Sequence, residues 1–323
     1  MCTAVSFLTK DHYFGRNLDL EYSYRETVTI TPRNYAFSFR MTDSLNTHHA
    51  MIGMATVADN YPLYYEATNE YGLSMAGLNF PGNAVYRPAD KKKVNIAPFE
   101  LIPWILGQCK TVLEARTFFE RINLVNLPFS AEFPLSPLHW FLSDRKESVV
   151  IEPLDSGIQI YDNPVGVLTN NPPFDFHMYN LSNYLNLTHT EPTNRFTDKI
   201  DLIPYSRGMG AIGLPGDLSS ASRFIKATFT KMNSVCSDDE SSSISQFFHI
   251  LSSVSQQRGC VKVNDDFEKT VYSSCCNTDK GIYYYTTYEN SQITAISLFR
   301  ENLNAENLFS YPLVTGQQIR YEN

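Results

Sequence analysis

The sequence predicts an α+β protein in which two antiparallel sheets pack on each other beneath a covering of helices. Three observations predict it: strand-like segments fall into separate blocks, helical spacing fills the stretches between and after them, and turn residues divide the last third into hairpins. The first block comprises residues 4–8, 13–22, 27–31 and 35–40, several with alternating apolar and polar positions, and reads as an antiparallel meander. Residues 99–109 and 111–122 then place apolar side chains at helical spacing. Thr111 with Glu114 three residues later supplies a start signal for the second. Strand character returns at 138–142, 148–152 and 157–161, separated by polar turns at 144–146 and 155–157, and suggests a second sheet. Helical spacing reappears through Phe224, Ala227 and Phe229 and again from Ile244 to Leu251, with a Ser/Asp/Glu-rich loop between. Segments 271–276, 282–288 and 293–298, parted by 277–281 and 289–292, form two hairpins.

The 323 residues, 43% of them hydrophobic, are enough to bury a substantial core without disulfide staples. No linker-like shift in composition divides the chain, so residues 1–323 are read as one domain. A formal charge of −8 argues against nucleic acid as a partner, because phosphate binding needs clustered Lys and Arg. The short basic run Lys91 to Lys93 reads as a solvated loop. The start lacks the charged and then apolar pattern of a signal peptide, and the most apolar window, 96–107, is interrupted by Pro98, Glu100 and Pro103. A cytoplasmic protein without membrane insertion is therefore expected. Its six cysteines show neither a metal-binding nor a disulfide spacing, and the acceptor-like triplets at Asn180 and Asn186 matter only in a secretory compartment.

Cys2 is the residue with chemical consequences. Removal of Met1, which requires a small second residue, would leave a thiol beside a free α-amine. A thiol of pKa about 8.5 next to an amine of about 7.7–8.0 can pass its proton to that amine near neutrality, so one residue supplies nucleophile and base. Taken alone, an ordinary cysteine that stands second remains the commoner reading. Arg16 and Asp19 lie in a segment expected to pair with the strand that follows Cys2. The arginine would favour thiolate and the carboxylate would orient the amine, although a surface ion pair explains the same residues.

Further segments decide between these readings: Met1-Cys2-Thr3, Phe14-Gly15-Arg16-Asn17, Asn69-Glu70-Tyr71-Gly72-Leu73, Ala76-Gly77-Leu78-Asn79-Phe80, Leu138-His139-Trp140 and Gly166-Val167-Leu168-Thr169-Asn170. Gly213-Leu214-Pro215-Gly216-Asp217, Ser222-Arg223-Phe224 and Lys280-Gly281-Ile282-Tyr283-Tyr284-Tyr285 continue the pattern. Over essentially its whole length the chain resembles the choloylglycine hydrolase family, the bile salt hydrolases and penicillin V acylases of the N-terminal-nucleophile superfamily. The resemblance implies a four-layer αββα sandwich, no metal or organic cofactor, and a homotetramer. It also implies Cys2 as nucleophile with Arg16, Asp19, Asn79, Asn170 and Arg223 as the supporting polar network. The implied reaction is hydrolysis of glycine- or taurine-conjugated bile salts through a thioester. Asn170 and a backbone N–H near Asn79 would face the oxyanion, Asp19 would bond the amine, and Arg223 would brace the network. The same resemblance places the steroid against Leu18, Tyr24, Ala58, Tyr65, Phe129, Phe133 and Leu138, although any one such residue is more often simply core.

Asparagine at position 79 resembles the bile salt hydrolases, whereas many penicillin V acylases carry tyrosine there. The alternatives are a penicillin V acylase and a catalytically silent bile-salt-binding homologue. A glutamine amidotransferase of the N-terminal-cysteine type is disfavoured, because those chains usually begin Cys-Gly. Other signals carry no function. Gly208 to Gly213 fits the letter of a dinucleotide fingerprint, but Pro215 and Gly216 follow where a helix should continue. The seven histidines show no ligand spacing, and the sequence around Ser74 lacks the final glycine of a nucleophile elbow.

Overall fold

The computed structural model describes residues 1–323 and contains two large antiparallel sheets. Its first strands are β1 (Cys2–Leu8), β2 (His12–Leu20), β3 (Thr27–Thr31), β4 (Met51–Ala58), β5 (Tyr61–Asn69) and β6 (Ser74–Asn79). A short parallel pair, β7 (Val94–Ile96) and β8 (Ile122–Leu124), brackets helices α1 (Leu101–Leu106) and α2 (Val112–Phe119). Strands β9 (Leu138–Ser143), β10 (Ser148–Leu154), β11 (Gly157–Asp162) and β12 (Val167–Leu168) follow, then helices α3 (Phe174–Asn180), α4 (Ser220–Met232) and α5 (Glu240–Ser252). The chain closes with β13 (Val261–Val263), β14 (Asp266–Asn277), β15 (Ile282–Thr287), β16 (Asn290–Ser297) and β17 (Phe309–Pro312).

One sheet runs β12-β1-β2-β14-β15-β16, with β13 paired to β14; the other runs β11-β10-β9-β6-β5-β4-β3-β17. Helix α1 packs on β5 and β6, while α4 and α5 pack on β1 and β14, so the order through the molecule is helix, sheet, sheet, helix. This is the αββα sandwich. Two apolar clusters correspond to these layers. One joins Val5, Phe14, Ile52, Phe141 and Tyr272 between the sheets and extends to Phe247 and Leu251 of α5. The other joins Trp140, Met75 and Ile151 to Leu101, Ile105 and Leu106 of α1. Burial of each such large side chain contributes roughly 1.5–3 kcal/mol, which is what binds the outer helices to the sheets.

The helices start where side chains can satisfy free N–H groups. Thr111 accepts from Glu114 N at 3.2 Å, Ser219 caps α4 and Asp239 accepts from Ser242 N at 2.9 Å. Each cap is worth about 1 kcal/mol. Helix α2 is shorter than its spacing suggests, because Ile122 leaves it to pair with Val94.

Three strand expectations need correction. Residues 35–40 alternate as expected, with Tyr35, Phe37 and Phe39 buried, but only a single bridge, Phe37 to Leu45, forms there. The alternation reports a face laid on the core; it does not supply a partner strand. Nor do the opening strands form one meander. β1 and β2 are a hairpin of one sheet, whereas β3 belongs to the other, after a turn in which Ser23 and the Tyr24 N–H both bond to Glu26. Strands β9 to β11 extend the sheet of β3 to β6 rather than opening a second one.

Candidate active site

Cys2 begins β1 and is 4% exposed. Strand register places the next groups around it: Cys2 lies opposite Leu18 and Ala4 opposite Arg16 on β2, while Ala4 also pairs with Leu168 of β12. β12 ends two residues before Asn170, so the fold carries a residue 168 positions away to the N-terminal strand. The Cys2 N–H donates to Asn170 Oδ1 at 2.7 Å. Gly15 permits the close packing of β2 on β14, where an added Cβ would lie 2.0 Å from the Ser274 carbonyl oxygen.

Arg223 reaches this point from the first turns of α4. Its Nη1 donates to the Cys2 carbonyl at 2.5 Å and to Thr3 Oγ1 at 2.6 Å, and its Nη2 donates to Asn170 Oδ1 at 2.9 Å. Asn170 Nδ2 donates to the Asn79 carbonyl at 2.8 Å. The peptide around Asn170 is itself held: its N–H donates to Ser220 Oγ at 2.8 Å and its carbonyl bonds to His177 Nε2 at 3.0 Å. Phe80 N–H donates to the Pro137 carbonyl, so the alternating antiparallel ladder turns the Asn79 N–H away from β9. β5 has by then left the pairing, whose last register is Glu66 with Ala76.

Arg16 is fully buried and donates through Nη1 to the carbonyls of Gly77 (2.6 Å) and Tyr65 (3.1 Å); its Nη2 has no hydrogen-bond partner. Burial opposes its charge, but the Cys2 sulfur, Tyr272, Glu66 and Asp19 together raise its pKa above the ordinary value. Asp19, also fully buried, accepts from Thr270 Oγ1 at 2.6 Å and lies 4.0 Å from Arg223 Nη1; its Oδ2 has no hydrogen-bond partner. Burial pushes its carboxyl upward, against the pull of Arg223 and the chain's amine. Burial likewise lowers the Met1 amine.

The structure therefore gathers Cys2, Arg16, Asp19, Asn79, Asn170 and Arg223 at one end of the sandwich. One expected contact differs: the Cys2 nitrogen bonds to Asn170, not to the Asp19 carboxylate. With Met1 attached that nitrogen is an amide with one hydrogen, and it serves one acceptor. Glu268, invisible to pattern reading, is buried here and ion-pairs with the Met1 amine.

A cavity of about 320 Å³ opens from Cys2 and Arg16 and is lined mainly by apolar side chains. Leu18, Tyr24, Tyr65, Phe129, Phe133 and Leu138 all line it, whereas Ala58 does not. Ala58 sits at the hairpin end of β4, opposite Tyr61, and the lining residue of that strand is Thr56, two positions earlier. Sequence reasoning also missed Leu20, Leu63, Phe99, Ile102 and Glu132 in the lining. The proline-flanked apolar stretch 127–136 was the available signal for the last of these. The rejected signals have structural roles: Ser74 bonds to Thr68 Oγ1 at 2.8 Å, His48 bonds to the Tyr35 and His49 carbonyls, and the 208–213 segment holds a single 3-10 turn whose Gly210 is buried.

Residues 2–311 match the model of the linear amide C–N hydrolases, choloylglycine hydrolase family. The chain is 56% identical over 319 residues to a bile salt hydrolase/transferase of Lactiplantibacillus plantarum, covering 98% of each, and 39% identical to one of Clostridium perfringens, covering both completely. A solved variant of the conjugated bile acid hydrolase from Clostridium perfringens superposes with a TM-score of 0.93 at 36% identity, over the full length of both chains. The penicillin V acylase from Agrobacterium tumefaciens shares the fold, with a TM-score of 0.75 at 18% identity over 96% of this chain and 90% of that one.

Proposed function

Because the chain belongs to the choloylglycine hydrolase family, we propose that it hydrolyses the amide bond of conjugated bile salts, with Cys2 as the N-terminal nucleophile. The observation that carries the reading is the position of Cys2, bound into a buried polar network on one side and opening onto an apolar cavity on the other. That cavity has the character expected of a site for a steroid: a mainly apolar wall with a few polar groups, Cys2, Arg16 and Asn79 at the reacting end and Thr56, Glu132 and Ser136 elsewhere on the lining.

In the proposed mechanism Met1 is removed, and the freed amine gains the hydrogens needed to reach Asp19 while keeping its bond to Asn170. The amine takes the thiol proton as Sγ attacks the carbonyl carbon. Charge collects on the carbonyl oxygen, where the Asn79 N–H and the second hydrogen of Asn170 Nδ2 stabilise it. The C–N bond then breaks, the leaving glycine or taurine nitrogen takes the proton, and a thioester to the bile acid remains. Water, activated by the same amine, hydrolyses the thioester and frees the thiol. Arg16 keeps the sulfur surroundings positive, and Arg223 ties the Cys2 carbonyl to the Asn170 side chain.

Residues 1–323 act as one domain in this reading, supported by the pairing of β14 with β2 and of β17 with β3, which ties the last segments to the first. A homotetramer is also proposed. Tyr179, Leu185, Phe196, Ile203 and Tyr205 are 78–86% exposed on one stretch of chain, an apolar surface that association would cover. A cytoplasmic location suits six unpaired cysteines. No helix is long and apolar enough to cross a membrane.

The test is release of glycine or taurine from glycocholate and taurocholate, compared with hydrolysis of phenoxymethylpenicillin. A large preference for the bile salts is expected. A preference for the penicillin would overturn the substrate, and no turnover of either would favour a silent homologue.

A further inference from the structure

Arg16 and Glu66 make a reciprocal crossing between the two sheets. Arg16 leaves β2 and donates to carbonyls of β5 and β6 in the opposite sheet. Glu66 leaves β5, is 2% exposed, and accepts from three hydroxyls of the first sheet: Tyr272 at 2.7 Å, Tyr283 at 2.5 Å and Ser274 at 2.9 Å. Ser274 Oγ also accepts from the Arg16 N–H at 3.2 Å, and Arg16 Nε lies 3.8 Å from Glu66 Oε2. Three hydroxyls converging as donors on one carboxyl are the arrangement an anion requires, since a neutral carboxyl would need an acceptor for its own proton.

Glu66 does not line the cavity, so it touches no substrate. Its effect must pass through Arg16, which does line it beside Cys2. The ionisable groups facing Arg16 are Cys2 from β1, Asp19 from β2, Glu66 and Tyr65 from β5 and Tyr272 from β14, with Tyr283 of β15 on the far side of Glu66 and Arg223 behind Cys2 on α4. Within this set two guanidiniums are matched by two carboxylates, Asp19 and Glu66. Removing the charge of Glu66 would leave one guanidinium without a counterion next to the sulfur.

We propose that Glu66 is a positioning residue that sets how much of the Arg16 charge reaches Cys2. A thiolate stabilised further by an unmatched guanidinium is a weaker nucleophile, because nucleophilicity falls as the thiol pKa falls. Burial pushes the Glu66 carboxyl upward, and Arg16 with the three hydroxyls opposes that push, so the hydroxyl cage is what keeps the counter-charge in place. The inference rests on Cys2 being the nucleophile and does not depend on which amide is cleaved.

The experiment measures the rate of Cys2 alkylation by iodoacetamide against pH, followed by mass spectrometry of the N-terminal peptide because Cys260 is exposed and Cys236 partly so. In Glu66→Gln the midpoint should fall by about one pH unit, as expected when a neighbouring carboxylate is lost. Glu66→Asp should stay near the native midpoint, and Tyr272→Phe should shift it in the same direction as Glu66→Gln by less. On glycocholate, kcat of Glu66→Gln should fall several-fold with KM within twofold. An unmoved or raised midpoint in folded Glu66→Gln, or a shift in Glu66→Asp equal to that in Glu66→Gln, would overturn the proposal. If Glu66→Gln does not fold, an unmoved midpoint in Tyr272→Phe overturns it. Alkylation needs no substrate, so a failure here is distinct from a failure of the bile salt reading.

Discussion

The two halves of the site are built differently. The polar half, with Arg16, Asp19, Asn170 and Arg223, stands on or beside β1, β2, β12 and α4, and its side chains are almost wholly buried. The apolar half stands largely on the irregular segment 127–136 and on the edges of β4 and β5, and Phe129 and Phe133 are only half-buried. Groups that must meet reacting atoms within tenths of an ångström need supports that do not move. A wall that only excludes water from an apolar body can be carried by a loop. Substitutions in the first half should therefore act on kcat, and those in the second on KM.

The largest effect is expected from Asn170→Ala. It removes the partner of the Cys2 nitrogen, the bond to Arg223 and one oxyanion donor, and kcat/KM for glycocholate should fall by about 10²–10³-fold. A loss carried entirely by KM would erase the distinction between the halves. Acid should next act through two buried histidines, His12 at the turn end of the β1–β2 hairpin and His177 beside Asn170 in the polar half. Burial pushes His12 and His177 each down to about 4, so the unfolded chain binds more protons than the folded one below pH about 6.5. Their contribution is therefore complete above that pH and is lost as pH falls toward 4, by at most about 3 kcal/mol each. Urea midpoints at pH 7 and pH 5 check this, the lower value being expected at pH 5. His177 holds the Asn170 carbonyl, so activity should fall with the midpoint.

Smaller effects belong to the wall. Phe129, packed against Tyr61, Phe99 and Phe133, should when changed to alanine raise KM about tenfold, the worth of a lost apolar contact, with kcat within twofold. An equal fall in kcat would mean that the loop also positions the scissile bond. Ala58→Ser should leave KM within twofold, because this residue lies outside the lining; a larger change would return it to the site.

The same contrast explains what could be read in advance. Short motifs carry the polar half: Phe14-Gly15-Arg16-Asn17 is part of a strand whose glycine admits β14, and Leu168-Thr169-Asn170 leads out of the strand that pairs with β1 beside Cys2. Their meeting was not legible from periodicity, since β1 pairs with residues more than 160 positions away. Residues 51–79 were likewise opaque as a sheet. β4 is buried from Met51 to Thr56 without alternation, so a period of two leaves no trace there. In residues 35–40 the alternation was true and the strand was not, because a buried face requires only a core beneath it. Glu66 and Glu268 gave no signal either; a carboxylate in a sequence does not announce three hydroxyls or an amine from distant strands.

The whole mechanism depends on Cys2, freed of Met1, being the attacking group. Intact-mass measurement of the purified protein, alone and after rapid quenching with glycocholate, tests it in one experiment, with Cys2→Ala as the control. The expected result is a chain lacking Met1, a transient mass increase equal to the bile acyl group, and no glycine released by Cys2→Ala. Retained Met1 in a fully active protein, or undiminished release by Cys2→Ala, would contradict it.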